Sequence, residues 1–257
     1  MNILFLGDIV GQAGRDIVFK HLEQLQHDYD IDVTIINAEN SAHGKGITFK
    51  IYNQLMAAGA DVVTLGNHAY SKSEIKDRIH ECEYLVQPFN HLCQIHQGYK
   101  IIEVNGLKLC VCNILGSALM HDNNQDAFSS MEDILDETDA DLYFVDFHAE
   151  ATSEKILFAN YFRDQIHAVV GTHTHVQTAD ERIIGKLAYI SDAGMCGVYD
   201  SVIGRDTDEM IANIIHGEKT HYQVANGPAI LCGCVITIDE EKMVATNIER
   251  IQIRPSN

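Results

Sequence analysis

A layered α/β fold with mixed sheets is the class the sequence predicts, and three observations predict it. The N-terminal part reads as three β-loop-α units in a row, each with a polar residue at its strand end. The middle carries Asn105-Gly106 between two apolar runs, a strong hairpin signal that makes that part of the sheet antiparallel. The C-terminal part reads as all-β. Two packed sheets with helices outside accommodate all three. No internal repeat, low-complexity segment or Pro/Ser linker interrupts residues 1–257, so one domain is expected.

Residues 2–7 form a short buried strand that stops at Gly7-Asp8. A glycine-punctuated loop follows, then a helix from Arg15 to about His27 with Ile17, Val18, Leu22 and Leu25 on its apolar face. The spacing Gly7, Gly11, Gly14 departs from the dinucleotide-binding fingerprint. Val33–Asn37 is the second strand, leading into the polar loop Ala38-Glu39-Asn40-Ser41-Ala42-His43-Gly44-Lys45-Gly46. Thr48 caps a helix carrying Ile51, Leu55 and Met56. The third strand, Asp61–Leu65, runs straight into Gly66-Asn67-His68, and Ser71 with Glu74 has capping-box spacing for the next helix.

Tyr99–Val104 and Leu107–Asn113 form the hairpin. Residues 121–126 read as a solvated loop before a helix ending near Glu137. The strand Leu142–Phe147 ends at His148, Thr152 to about Phe162 is helical, and the 167–171 strand arrives at Gly171-Thr172-His173-Thr174-His175. Beyond it come a strand at Ala188–Ile190, a helix over Asp206–His216, and strands at 221–225, 229–238 and 243–253.

Composition excludes several roles. A formal net charge of −19 argues against a duplex or long-RNA binder, which needs a basic face. No apolar run is long enough to span a bilayer, and Met1–Leu6 lacks a basic flank and reads as a strand, so a cytoplasmic protein is expected. Seven cysteines follow no small-scaffold pattern. Cys110/Cys112 and Cys232/Cys234 lie at strand spacing in apolar runs; they fit buried small hydrophobes better than zinc ligands.

The chemistry gathers at strand ends. His173 and His175 stand at i and i+2 after a strand, where an extended chain points both rings to one side. Asp8, Glu39-Asn40, Asn67-His68 and His148 occupy the ends of the other strands. Each has a plain structural reading: Asp8 as a helix cap, Asn40 and Asn67 as turn residues, His148 as a satisfied core histidine. Together they supply two carboxylates, two amide oxygens and three imidazoles, enough for two metal ions sharing a carboxylate, with His68 left over. Three imidazoles disfavour calcium and magnesium and suit manganese, iron or zinc. Two divalent ions less two carboxylates and a hydroxide leave the site net positive, which favours a phosphoryl oxyanion.

Gly7-Asp8, Gly66-Asn67-His68, the strand-end His148 and Gly171-Thr172-His173-Thr174-His175 resemble the ordered motifs of the calcineurin-like metallophosphoesterases. That family commonly shows Asp-x-His and Gly-Asp-x-x-Asp in its first two motifs. Here they read Asp8-Ile9-Val10 and Asn37-Ala38-Glu39-Asn40, which is similar to the YmdB-type subfamily of bacterial phosphodiesterases. The similarity extends through the chain, including Phe147–Glu154 and Thr172–Asp180.

The resemblance implies a four-layer α/β/β/α sandwich with a di-metal site at one edge of the sheets. By motif, Asp8, Glu39, Asn40 and His175 would hold one metal. Glu39 would bridge to a second, held also by Asn67, His148 and His173. It further implies iron or manganese as the metals, with zinc an alternative, and His68 as proton donor. The implied substrates are 2′,3′- and 3′,5′-cyclic nucleotides, and the implied proteins self-associate. The expected reaction is in-line hydrolysis of a small phosphodiester by a hydroxide bridging the metals. His43 and Lys45 are candidates to meet base or ribose. Two other readings remain open at this point: a phosphomonoesterase or protein phosphatase on the same site, and a nucleotide-sensing regulatory protein with little turnover.

Overall fold

The computed structural model describes residues 1–93, 98–120 and 124–255, so residues 121–123 of the expected solvated loop lie outside the described residues. The strands are β1 Asn2–Leu6, β2 Asp8–Ile9, β3 Val33–Asn37, β4 Val62–Thr64, β5 Leu85–Val86, β6 Tyr99–Val104, β7 Leu107–Leu115, β8 Leu142–His148, β9 Ala168–Thr172, β10 Arg182–Ile184, β11 Leu187–Ile190, β12 Met195–Val198, β13 Ala229–Asp239 and β14 Val244–Ile253. The helices are α1 Gly11–Asp28, α2 Phe49–Ala57, α3 Ser73–Arg78, α4 Ala127–Glu137, α5 Thr152–Tyr161 and α6 Thr207–Met210.

Two sheets form. One runs β2-β12-β13-β1-β3-β4-β5 with β14 alongside β13, and the other runs β10-β11-β9-β8-β7-β6. Both are mixed: β1, β3, β4 and β5 are parallel, as are β7, β8, β9 and β11, whereas β13 pairs antiparallel with β1 and β6 with β7.

Alternation along the strands sorts side chains into layers. Ile3, Phe5, Val33 and Ile35 of the first sheet meet Val111, Phe144, Val170 and Ile190 of the second, and this is the core between the sheets. The opposite faces take the helices. Leu4, Leu6 and Ile36 pack with Val18 and Leu22 of α1 and Leu55 of α2, while Cys110, Val145 and Phe147 pack with Met131 of α4 and Phe158 of α5. The result is α/β/β/α, and each fully buried Phe or Ile contributes roughly 1.5–3 kcal/mol to it. Phe147 and Phe158 stack at 4.4 Å. All seven cysteines are free thiols, and the two strand pairs are buried as small hydrophobes.

Several expectations need correction. α1 starts four residues earlier than its apolar pattern suggested, because the glycines of its first turn are buried, Gly11 against Val224 and Gly14 against the backbone of β12. Ser71 and Glu74 form no capping box: α3 begins at Ser73 after Lys72, without a side-chain cap, and Ser71 N instead donates to His68 O in a turn. Residues 221–225 make only an isolated bridge, Val224 to Arg205, in place of a strand. The 206–216 helix is α-helical only to Met210 and continues as a π turn over Ile211–Ile215. Thr48, by contrast, caps α2 by accepting from Ile51 N, and Asn105 and Gly106 both take positive φ, as the tight hairpin requires.

Candidate metal centre

Parallel strands that end at one edge deliver their following residues to one crevice. β3, β4, β8 and β9, together with β2, do so here, and every residue expected to ligate comes into one connected cluster. His148 Nε2 is its hub: 3.2 Å from Glu39 Oε1, 3.1 Å from Asn67 Oδ1 and 3.0 Å from His173 Nδ1. Asp8 Oδ2 accepts from His173 N at 3.2 Å, and Asp8 Oδ1 lies 4.0 Å from His175 Nε2. Asn40 Nδ2 is 3.0 Å from His175 Nε2 and donates to Glu39 Oε1 at 3.2 Å. His68 lines the same crevice and donates from its backbone N to Glu39 Oε2 at 3.0 Å.

The paired histidines meet for a reason the i, i+2 argument did not contain. β9 stops at Thr172, and His173 and His175 stand at φ 97° and 67°, so the segment is not extended. Positive φ in non-glycine residues costs about 1–3 kcal/mol each and persists only where surroundings impose it. His175 Nδ1 contacts Ile203 O at 2.9 Å, and His173 Nε2 lies 3.3 Å from Glu150 Oε2.

Beneath the cluster, Asp146 joins the two sheets. Its Oδ2 accepts from Asn37 Nδ2 at 2.8 Å and from Thr64, and its Oδ1 accepts from Thr172 Oγ1 at 2.7 Å. Because the Thr172 hydroxyl gives its proton to Asp146, its oxygen receives one from His148 Nδ1, 2.9 Å away. With Nδ1 so engaged, Nε2 of His148 is the nitrogen turned toward Glu39, Asn67 and His173. Asn37 Oδ1 in turn accepts from Glu39 N at 3.1 Å, which fixes the start of the ligand loop. Gly66 is required here: a Cβ on it would lie 2.3 Å from Glu39 Oε2 and 2.5 Å from His148 Nε2.

The electrostatics are those of buried carboxylates facing imidazoles. Burial pushes the Glu39 carboxyl up, but the facing His148 imidazole and the contacts from His68 outweigh it and leave Glu39 well below the usual range. Burial disfavours protonating His148, yet Glu39 and Asp8 raise it to about 9. Burial and the neighbouring His148 push His173 down to about 3. Burial raises Asp8, and burial lifts Asp146 to about 6 despite its hydrogen bonds.

These residues fit a bound cation. Glu39, His148 and His173 each present a donor atom, all within 4.8 Å of one another. Asp8 Oδ1 is buried with no hydrogen-bond partner. An amide oxygen, a carboxylate oxygen and two ring nitrogens converging on one point need positive charge among them, which either a proton on His148 or a bound cation supplies. Sequence reasoning missed the supports: Asp146 and Thr172, the buried pair Lys155–Asp192, and the rim residues Arg205 and Tyr222. An acid inside the otherwise apolar β8, and a lysine three residues before Phe158 on the buried face of α5, were readable signals.

The sequence matches the family model described as YmdB-like protein over residues 4–251. A 2′,3′-cyclic-nucleotide 2′-phosphodiesterase of Bacillus subtilis is 43% identical over 256 residues, covering 98% of this chain and 97% of that protein. A crystal structure of a novel phosphatase from Mycoplasma pneumoniae superposes with a TM-score of 0.94 at 35% identity, covering 99% of this chain and 93% of the other. A hypothetical protein from Thermus thermophilus gives 0.93 at 34% identity, with both chains covered fully.

Proposed function

The chain belongs to the YmdB-like family, a group that includes phosphoesterases, and from that premise we propose that it hydrolyses small phosphodiesters, cyclic nucleotides in particular. The observation that carries this reading is the convergence of carboxylate, amide and imidazole donors on His148 Nε2, beside a cleft of about 290 Å³.

Asp8, Glu39, Asn40 and His175 would hold one metal ion, and Glu39, Asn67, His148 and His173 a second, with Glu39 shared. When bound, two such ions orient the phosphate, neutralise its charge and lower the pKa of water toward 7. Imidazole with carboxylate and amide oxygen suits iron or manganese, and zinc to a lesser degree. The amide of Asn40 would turn its oxygen inward to serve.

The chain's own residues supply the rest. Thr172 and Asp146 keep His148 in one tautomer, and Glu150 does the same for His173. His68 lines the cleft next to Asn67 and is outside the proposed ligand set. It donates the proton that the departing ribose oxygen requires, a role worth about 10²–10⁴-fold. A proton donor has a use in turnover and none in sensing, which favours an enzyme over a regulatory binder.

The test is metal analysis of freshly purified protein, coupled to a panel of 2′,3′-cyclic AMP, 3′,5′-cyclic AMP and a phosphomonoester. Two ions per chain and faster turnover of the cyclic esters support the reading. Metal-replete protein that prefers the monoester, or binds cyclic nucleotide tightly without cleaving it, overturns it.

A further inference from the structure

One wall of the cleft has no part in the proposed metal ligation or proton transfer. Tyr222 lies on it, partly exposed, and its ring is held by three neighbours, Lys45, Arg205 and Gly44. Lys45 Nζ stands 5.4 Å and the Arg205 guanidinium 4.7 Å from the ring centroid. The hydroxyl of Tyr222 donates to Gly44 O at 3.4 Å, and the ring packs so close that a Cβ at position 44 would lie 2.5–2.9 Å from its atoms. Gly44 also holds φ 80°, so both sterics and backbone demand glycine there.

Arg205 is itself anchored. Its Nη2 donates to Glu209 Oε2 at 2.7 Å and to Oε1 at 2.9 Å, its Nε to Oε2 at 3.2 Å, and Thr220 donates to the same carboxylate. Glu209 is only 6% exposed. A buried carboxylate thus orients an arginine that orients a tyrosine at the mouth of the cleft. Lys45, by contrast, makes no ion pair among the described residues, although the protein as a whole carries a charge of −19.

The cleft has about 290 Å³, at the small end for ligand pockets, which suits a phosphoryl group with its sugar. Tyr222 also lines a neighbouring cavity of about 550 Å³, so its side chain borders both spaces. We propose that Tyr222, braced by Arg205, is the nucleoside subsite: the base of the substrate stacks on the ring in place of the Lys45 ammonium, which moves off it to meet the electronegative side of the sugar. This rests on the phosphodiesterase reading and assigns the residues that would favour nucleoside phosphodiesters over simple alkyl ones. Stacking on a π-face is tolerant of base identity, so the four bases should be handled within about threefold of one another.

The experiment compares 2′,3′-cyclic AMP with ribose 2′,3′-cyclic phosphate, which carries a hydroxyl in place of the base, in metal-replete wild-type protein, Tyr222→Leu and Tyr222→Phe. The ratio of kcat/KM for the two esters should fall about tenfold in Tyr222→Leu, through KM and not kcat, and be retained in Tyr222→Phe. Saturation-transfer NMR with adenosine, a probe that has no phosphate, should mark the base protons in wild type and lose that mark in Tyr222→Leu. A ratio unmoved in Tyr222→Leu, or adenosine unmarked by wild type, overturns this inference alone. Wild-type protein that cleaves neither ester overturns the phosphodiesterase reading and this inference with it.

Discussion

Lys155 Nζ lies 3.0 Å from Asp192 Oδ2, with both side chains inside the protein, and the pair brackets His173 from either side along the chain. Lys155 donates to Thr172 O at 2.8 Å, and the same Asp192 oxygen accepts from Thr174 N at 3.1 Å and from the Thr174 hydroxyl at 2.8 Å. Removing two charges from water costs several kcal/mol, and their mutual attraction need not return it. What the pair supplies is direction. It clamps the residues before and after the one at φ 97°.

Lys155→Met should therefore be costly, because it strands the Asp192 carboxylate in the interior. Urea unfolding is expected to show a loss of about 3–5 kcal/mol. The double variant Lys155→Met/Asp192→Asn, which removes the stranded charge, should recover part of that loss. A single variant within about 1 kcal/mol of wild type would contradict the clamp.

Thr172→Val tests the relay from Asp146 to His148. The substitution keeps the shape of the side chain and removes the hydroxyl that engages His148 Nδ1 and leaves Nε2 toward the cluster. Metal affinity, measured by competition with a chelator, should fall about 10–100-fold while the fold is kept. Equal affinity in the two proteins would mean that His148 finds its tautomer without help.

The same relay illustrates how much the sequence discloses. Strand ends are legible because apolar runs, glycines and polar residues alternate along the chain, and each expected ligand from Asp8 to His175 lies within the one cluster. The hairpin at Asn105-Gly106 is legible for a similarly local reason. Long-range geometry is not. Asp146 reaches Asn37, 109 positions away, and only the stacking of two sheets makes them neighbours. Arg205 and Tyr222 lie outside regular helices and strands, with isolated bridges at Arg205 and Val224, so neither belongs to a periodic pattern, although both line the cleft.

Glu39→Gln and His68→Ala should fail in opposite ways. The glutamine keeps the shape of the side chain but removes a carboxylate that contacts both His148 and the His68 backbone, so tightly held metal should be lost along with activity. His68→Ala should retain its metals by elemental analysis and lose about 10²–10⁴-fold in cyclic-nucleotide turnover. Two firmly bound ions in Glu39→Gln would remove the shared-carboxylate assignment, and wild-type turnover in His68→Ala would remove the proton donor.

A last prediction lies outside the crevice. His167 is buried, and its Nδ1 accepts a hydrogen bond from Tyr143 N at 3.2 Å, which only the neutral ring can do. Burial, with some repulsion from Lys186, lowers it from 6.5 to about 4. Above pH 6.5 the ring is neutral in both folded and unfolded chains, so it adds no pH dependence there. As pH falls from 6.5 toward 4, the unfolded chain takes up a proton that the folded chain refuses, and stability drops by at most about 3 kcal/mol. Below 4 the two states are protonated alike and the loss levels off. His167→Asn keeps a side-chain acceptor and removes the titration, so its denaturation free energy should decline less over that interval than that of wild type. Parallel pH profiles for the two proteins would show that the His167 proton is not held off by the fold.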